Sequence, residues 1–403
     1  MPLNNDNPFF GKHIVLGVTG SIAAYKAAVL SSSLVKEGAE VRVIETKNAL
    51  KLVGEATFEG LTHNRVLIDT FSPDNASGVE HVDLAGWTDV FVVAPASADI
   101  IAKFACGIAD DMLSTAFLAV RRDTPVLVAP AMNTNMYENP ATQENLATLR
   151  RRGIKIIEPS SGYLACGTEG KGRMAEPSEI LFHIEAAVSE QDLFGKKIVV
   201  SAGPTAEDID PVRFITNRSS GKMGFAIAES AARRGALVTL VSGPTVLSAS
   251  PLIEKVISVR SADEMHEAII SEAKDAYAVI MAAAVADYTP EVKASEKLHK
   301  GDHDMSIPLI RTKDILLDLS KNKGDTILVG FSMETEDLIE NAKRKLQKKA
   351  LDMICANSVK QEGAGFSVDT NVLTFITKDE MTELPIMSKK ACADKILDRL
   401  SLL

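Results

Sequence analysis

The sequence predicts an α/β protein of two doubly wound domains, and three observations carry that prediction. Gly11-Lys12-His13-Ile14-Val15 and Gly195-Lys196-Lys197-Ile198-Val199 open the two halves with one G-K-x-I-V pattern, each followed by a glycine-bearing turn and a helix-forming stretch. Short apolar runs then alternate with longer helix-forming stretches in both halves, the pattern of βαβ units around a parallel sheet. The 403 residues, 46% hydrophobic and 24% charged, suffice to bury two cores.

In the first half, buried strands are expected at Val41–Ile44, Asp89–Ala94, Pro125–Ala129 and Ile154–Ile157, following the one opened by Ile14. Helices are expected over Ser21–Glu37, Asp110–Arg121 and Thr142–Arg152. The short polar stretch Val188 to Phe194 places the boundary near residue 190, giving domains 1–190 and 191–403. The second half repeats the Rossmann-like logic, with strands at Val238–Val241, Tyr277–Met281, Thr326–Val329, Asp352–Cys355 and Asn371–Ile376. Its helices are expected over Gly221–Arg234, Ala262–Ala273, Thr335–Lys349 and Lys389–Leu402.

The charge balance, 44 basic against 54 acidic side chains, argues against a nucleic-acid surface outside a local basic cluster. No apolar run approaches the ~20 residues of a bilayer span. The first residues lack the basic and apolar regions of a signal peptide, so a cytoplasmic location is expected. Cys106, Cys166, Cys355 and Cys392 are far apart and show no metal-ligand spacing, so all four are expected reduced.

Ligands of such sheets bind beyond the carboxyl ends of the strands. Gly17-Val18-Thr19-Gly20-Ser21 joins a strand to a helix, with Ser21 as the expected N-cap and free backbone N–H groups facing an anion. Alone, such a turn reads equally well as tight packing. It lacks the third glycine of the dinucleotide fingerprint, which favours a mononucleotide over NAD. Two more small-residue turns, Ala94 to Asp99 and Ala129 to Met136, reach the same edge and outline a pocket for a flat ligand. Ser160 to Met174 is the most glycine-dense stretch and reads as neither helix nor central strand. It is expected to be a mobile flap that carries the Cys166 thiol over a substrate. His81, in Glu80-His81-Val82-Asp83 near the only tryptophan, reads by itself as structural.

Taken together, G-S-I-A-A-Y-K, the His81 motif, P-A-M-N-x-x-M and A-C-G-x-x-G-x-G-R-M are highly specific. Residues ~10 to ~185 resemble the homo-oligomeric flavin-containing cysteine decarboxylases, in particular the phosphopantothenoylcysteine decarboxylases. The resemblance implies a flavodoxin-like domain with FMN as cofactor, bound by Gly20, Ser21, Thr46, Ser97 and Met132. It implies that His81 and Asn133 act on the substrate and that Cys166 donates the proton. Loss of CO2 from a cysteinyl carboxylate needs an electron sink, so the flavin first oxidises the thiol to a thioaldehyde. After decarboxylation the enethiol is reduced and protonated, a step that suits a thiol on a closing flap.

In the second half, the long segment from Ala202 to Gly224 ends in a Ser219-Ser220-Gly221 cap suited to phosphates and is no Walker A loop. With Ala282-Ala283-Ala284-Val285-Ala286-Asp287, it resembles the phosphopantothenate-cysteine ligases. Asp287 is expected at the end of a buried strand, where a carboxylate is costly without something to recognise. The helix-forming run from Glu340 to Lys349 is the local basic cluster. Without context it reads as a solvated face, although Lys345 and Lys349 are one turn apart and share a side. The resemblance makes them triphosphate ligands. It also assigns CTP to Ser219, Ser220, Gly221, Met281, Ala282, Ala283, Asp287, Lys297 and Phe331, with Asn217 and Lys297 catalytic. Mg²⁺ is implied, held largely by phosphates, with no protein ligand assigned. The chain departs from the family pattern at Ala206, His299 and Lys313, which leaves nucleotide contacts there open.

The combined resemblance implies ligation of 4′-phosphopantothenate to L-cysteine through an acyl-cytidylate, then decarboxylation to 4′-phosphopantetheine. Trimers are implied for the first half and dimers for the second, a dodecamer if both form. The rivals are an NAD(P)- or flavin-dependent oxidoreductase and a flavin-binding regulatory subunit.

Overall fold

The computed structural model describes residues 7–71, 79–163, 169–300, 305–334, 337–358 and 368–403. The chain divides into two compact units, Met1–Glu190 and Gln191–Leu403.

The first unit runs β1 (His13–Val18), α1 (Ala24–Lys36), β2 (Glu40–Glu45), α2 (Glu55–Thr62), α3 (Glu80–Trp87), β3 (Val90–Ala96), α4 (Ala98–Cys106), α5 (Met112–Ala119), β4 (Val126–Pro130), α6 (Thr134–Glu138), α7 (Pro140–Arg151) and β5 (Lys155–Ile156), then β6 (Ser160–Tyr163), β7 (Glu169–Arg173) and α8 (Pro177–Val188). Among the described residues the central sheet has the order β2-β1-β3-β4-β5, all pairs parallel. Period-2 alternation buries both faces. Ile14, Leu16 and Val18 of β1 join one apolar cluster with Leu30 and Leu34 of α1 and Ile180 and Ile184 of α8. Val15 joins the other, with Ile100 and Phe104 of α4, Leu113 of α5 and Leu146 of α7. Local chemistry starts the helices: Asp111 and Ser114 form a capping box on α5, and Asn139 caps α7 with Pro140 at its first position.

One expectation needs revision here. Ser21 is not the cap of α1, because the helix begins at Ala24 with Ala23 as its N-cap. The Ser21 hydroxyl accepts instead from Ala23 N–H at 3.4 Å, while Ser21 N–H donates to Thr19 O at 2.8 Å. Residues 19–23 therefore form their own tight turn, and α1 starts after Ala23 with no side-chain cap. The glycine-rich stretch is neither helix nor central strand, as expected; its described ends, β6 and β7, pair as an antiparallel ribbon outside the central sheet.

The second unit runs β8 (Lys197–Ala202), β9 (Ala206–Asp208), β10 (Phe214–Thr216), α9 (Lys222–Arg233), β11 (Leu237–Ser242), β12 (Lys255–Ser258), α10 (Ala262–Glu272), β13 (Ala278–Met281), β14 (Tyr288–Pro290), β15 (Leu309–Arg311), α11 (Ile315–Ser320), β16 (Ile327–Glu334), α12 (Leu338–Lys348) and β17 (Met353–Ser358). It ends with β18 (Thr370–Asn371), β19 (Thr374–Thr377), β20 (Met381–Glu383), β21 (Met387–Ser388) and α13 (Lys389–Leu400). Its main sheet has the order β12-β11-β8-β13-β16-β17-β19-β20, parallel as far as β17. Ile198 and Val200 of β8 pack with α9 and α13, and Val199 packs with α10, α11 and α12 on the other face.

The single strand expected at Asn371–Ile376 is two. The Asn371 side-chain oxygen accepts from Val372 N–H and from the Asn357 amide, both at 3.0 Å, and the chain changes partner there. Cys106, Cys355 and Cys392 are free thiols, and burial pushes the Cys392 thiol up to about 11. Among the described residues no helix is long and apolar enough to cross a membrane.

Candidate active sites

In the first unit, the loops after β1, β3 and β4 meet at the carboxyl edge of the sheet. The Thr19 hydroxyl donates to Pro95 O and accepts from Ser97 N–H, both at 2.9 Å, which clamps the first turn to the second. Ala131 N–H donates to Ala96 O at 3.0 Å and adds the third. Two cavities flank this junction and share Gly20, Ser97, Ala98 and Met136 in their walls. One, of about 560 Å³, also takes in Ser21, Lys26, Met132 and Asn133; the other, of about 500 Å³, takes in Glu45, Thr46 and Lys103. A Cβ on Gly20 would fall 2.6 Å from that of Asn48, so only glycine lets the turn sit this close to the β2 loop.

The electrostatics of the two cavities differ. Lys103 is held by Asp110 and Asp111 at 2.8 Å each and by Asp99 at 3.7 Å. Burial pushes the Asp111 carboxyl up, but hydrogen bonds from Lys103 and Ser114 outweigh it and keep it below its usual range. Ser97 caps α4 by accepting from Ile100 N–H, leaving the first N–H groups of that helix without intrahelical partners. Asn133 Oδ1 accepts from Asn135 N–H at 2.8 Å, which commits its carbonyl and leaves donation to its amide nitrogen. Lys26, buried, donates to Met174 O at 3.3 Å and to Glu176 at 2.9 Å, tying α1 to the end of the ribbon. The ribbon docks on the β4 loop through Met132 N–H to Gly172 O at 3.0 Å.

The structure thus gathers Gly20, Ser21, Thr46, Ser97, Met132 and Asn133 around two adjoining cavities. It does not bring His81 to them: that residue lies on α3 and lines neither cavity of its own chain. Cys166 lies outside the described residues. Sequence reading missed Glu45, whose signal is a carboxyl in the apolar alternation Val41, Val43, Glu45.

In the second unit, a cavity of about 470 Å³ opens beyond β13 and β16. Met281, Ala283, Asp287, Phe331, Lys345 and Lys349 line it, together with Arg311, Lys313 and Lys348. Five cations against Asp287 and Asp314 make it electropositive. Lys345 donates to Phe331 O at 2.6 Å, and Lys349 pairs with Asp314 at 2.8 Å. α12 ends at Lys348, so Lys349 is its C-cap residue. The segment left open at Lys313 is part of the wall, and the basic alternation Arg311, Lys313 was its legible signal.

Three expectations meet a different geometry. Asp287 lies six residues past β13 and is exposed, so its position needs no payment for desolvation. Ser219, Ser220, Gly221 and Ala282 do not line this cavity; the serines precede α9, whose N-cap is Gly221. Lys297 is exposed and also outside its lining. Asn217 instead stitches the β10 loop to the segment after β13, its amide donating to Ala284 O at 3.2 Å and Val285 O at 3.1 Å. The segment that bears Lys297 is pinned by its neighbour: Leu298 N–H donates to Asp210 at 3.1 Å, and Arg213 donates to Leu298 O at 2.6 Å. Asp210 is buried, and its hydrogen bonds from Arg213 hold it far below the carboxylate range.

Residues 4–189 match the family described as Flavoprotein, and residues 193–403 the DNA/pantothenate metabolism flavoprotein C-terminal domain. The chain is 47% identical over 405 residues to the coenzyme A biosynthesis bifunctional protein CoaBC of Bacillus subtilis (strain 168), covering 100% of this chain and 98% of that one. It is also 47% identical over 333 residues to a cysteine/cysteine sulfinic acid decarboxylase of an unknown prokaryotic organism, covering 81% of this chain and 92% of that one. A crystal structure of the C-terminal domain of a coenzyme A biosynthesis bifunctional protein CoaBC is 42% identical, covers 53% of this chain and 97% of its own, and aligns with a TM-score of 0.46. With both halves matched and full-length identity at this level, the chain belongs to the family of coenzyme A biosynthesis bifunctional proteins.

Proposed function

We propose that the second unit joins 4′-phosphopantothenate to L-cysteine at the expense of CTP, through an acyl-cytidylate, and that the first unit decarboxylates the product to 4′-phosphopantetheine with FMN. The family is enzymatic, which sets aside a regulatory subunit and an NAD(P)-linked oxidoreductase. The observation that carries the reading is one chain with two strand-edge sites of different character: a pair of small-residue cavities in the first unit and a strongly cationic one in the second.

The cationic cavity suits a triphosphate. Lys345, Lys348, Lys349, Arg311 and Lys313 would neutralise its charge, Mg²⁺ would supply further charge neutralisation with no protein ligand assigned, and Asp287 would offer an acceptor to the nucleoside. Lys297, on a segment held by Asp210 and Arg213, stabilises charge as the acyl-nucleotide forms. Asn217, whose amide ties the β10 loop to Ala284 and Val285 beside the cavity, acts in amide formation.

The residues of the first unit fit FMN: close approach at Gly20, the open N-terminus of α4 beside Ser97, and a second cavity that adjoins the first. Bound FMN supplies a two-electron sink and source for the substrate sulfur. Asn133 donates from its amide to the departing carboxylate, and Cys166 returns the final proton. His81 lies away from its own cavities, which suits a site completed by another copy of the chain in a trimer. A cytoplasmic location suits this reading.

The test is to purify the protein, record its flavin spectrum, and supply phosphopantothenate, cysteine, Mg²⁺ and CTP. Mass spectrometry is expected to find phosphopantetheine, and Cys166→Ser to retain ligation while stopping before the reduced product. Normal phosphopantetheine from Cys166→Ser would remove that residue from the proton transfer. Release of CO2 from free cysteine without CTP would favour the activity named for the second relative.

A further inference from the structure

The two cavities of the first unit differ in charge. Among the described residues, the 500 Å³ cavity is lined by five carboxylates against two lysines. The 560 Å³ cavity is lined by Lys26 and Arg173 and, among the described residues, by no acidic side chain. Anionic groups of a ligand are therefore accommodated in the second of these and opposed by the first.

The two cations share one counter-ion. Lys26 of α1 and Arg173, the last residue of β7, donate to the same oxygen of Glu176, at 2.9 and 2.8 Å. The hydrogen bond from Lys26 first, with the charges of Lys26 and Arg173 adding to it, outweighs burial and keeps that carboxyl below its usual range. One carboxylate between two cations leaves this wall positive. The cations differ in freedom. Lys26 is buried and also bound to Met174 O at 3.3 Å, whereas the Arg173 side chain is 46% exposed. A guanidinium carries five N–H donors in a planar fork, and the bond to Glu176 engages one of them. Gly172, beside it, lies against the β4 loop, where a Cβ would fall 2.4 Å from Met132 O. Alternation along β7 turns Arg173 to the α1 side, so that it and Asn133 stand on different walls of one cavity.

We propose that Arg173 is a specificity-determining residue of the decarboxylase site, holding the phosphate monoester of the substrate while the carboxylate lies at Asn133. This rests on the reading above, in which one substrate carries both groups. The cysteinyl end enters first to reach the flavin, and the phosphate end stays nearer solvent, as Arg173 does. Lys26 remains on Glu176, so Arg173 turns to the phosphate without leaving that carboxylate unpaired. Two parallel N–H···O bonds then form, a geometry that a lysine does not reproduce.

The experiment supplies full-length, FMN-loaded protein with phosphopantothenoylcysteine or with its dephosphorylated form, without CTP, and follows CO2 release. In the parent, kcat/KM is expected to be about 10- to 100-fold higher for the phosphorylated compound. In Arg173→Gln that ratio is expected to collapse toward one, through a higher KM for the phosphorylated compound, and Arg173→Lys is expected to restore part of it. Equal kcat/KM for the two compounds in the parent, or an equal fall for both in Arg173→Gln, overturns the proposal alone. Fluorescence titrations of flavin-stripped protein with FMN and riboflavin separate the other source of a phosphate. Affinity lost in Arg173→Gln for FMN but not for riboflavin would give the arginine to the cofactor and overturn the proposal as well. Failure of the parent to release CO2 from either compound would overturn the decarboxylase reading and this one with it.

Discussion

Lys345 illustrates how one residue passes from a surface charge to a candidate ligand. Its sequence neighbourhood reads as a solvated basic helix, and only the fold sets it against Phe331 O at the wall of a cavity that four other cations share. Charge-assisted contacts to a phosphate contribute roughly 1.5–3 kcal/mol. Lys345→Ala is therefore expected to raise the KM for CTP by about tenfold or more, with decarboxylation of supplied phosphopantothenoylcysteine unchanged, as steady-state assays of the two reactions will measure. At the same scale, Asp287 was legible as a candidate although its expected burial was not. The apolar run before it continues to Ala286, but β13 ends at Met281, so the carboxylate stands beyond the strand. Glu45 is the converse case, a charged residue that strand periodicity buries.

Among the elements, α8 carries a histidine whose titration is expected to contribute to acid sensitivity. His183 on this helix is half-buried, and desolvation first, then the charge of Lys155, lower its pKa from 6.5 to about 4. The unfolded chain binds that proton more readily than the folded one. Stability from neutral His183 is therefore complete above about pH 6.5 and is lost as the pH falls toward about 4. Thermal unfolding is expected to show a smaller drop between about pH 7 and about pH 5 in His183→Gln than in the parent. An equal drop would remove His183 as the cause. The β6–β7 ribbon marks the limit of element-level reading. Its glycines argue against helix and central strand, and Glu158 accepts from Tyr137 Oη at 2.9 Å and Lys171 at 3.1 Å and pairs with Arg150, contacts that anchor β7 against α6 and α7. Burial raises the Glu158 carboxyl, and those three hydrogen bonds outweigh it. No local propensity announces a ribbon held by side chains from elsewhere in the chain.

For the whole molecule, each unit has apolar clusters on both faces of its own sheet, drawn from its own residues. Residues 1–190 and 191–403 expressed apart are expected to retain decarboxylation and ligation respectively, each assayed with its own substrate. Loss of both on separation would show that the activities need the joined chain. The alternation of apolar runs and helical stretches, the repeated opening pattern and the loop motifs determined the two-unit α/β class and the strand edges where the cavities lie. These are properties of local periodicity and of turn chemistry, which each segment carries alone. Tertiary structure alone decided that Arg311 and Lys313 join Lys345 and that Glu45 is buried without a partner. Those outcomes depend on which distant segments meet, because solvation and charge balance at a residue are set by neighbours that its own stretch of chain does not contain.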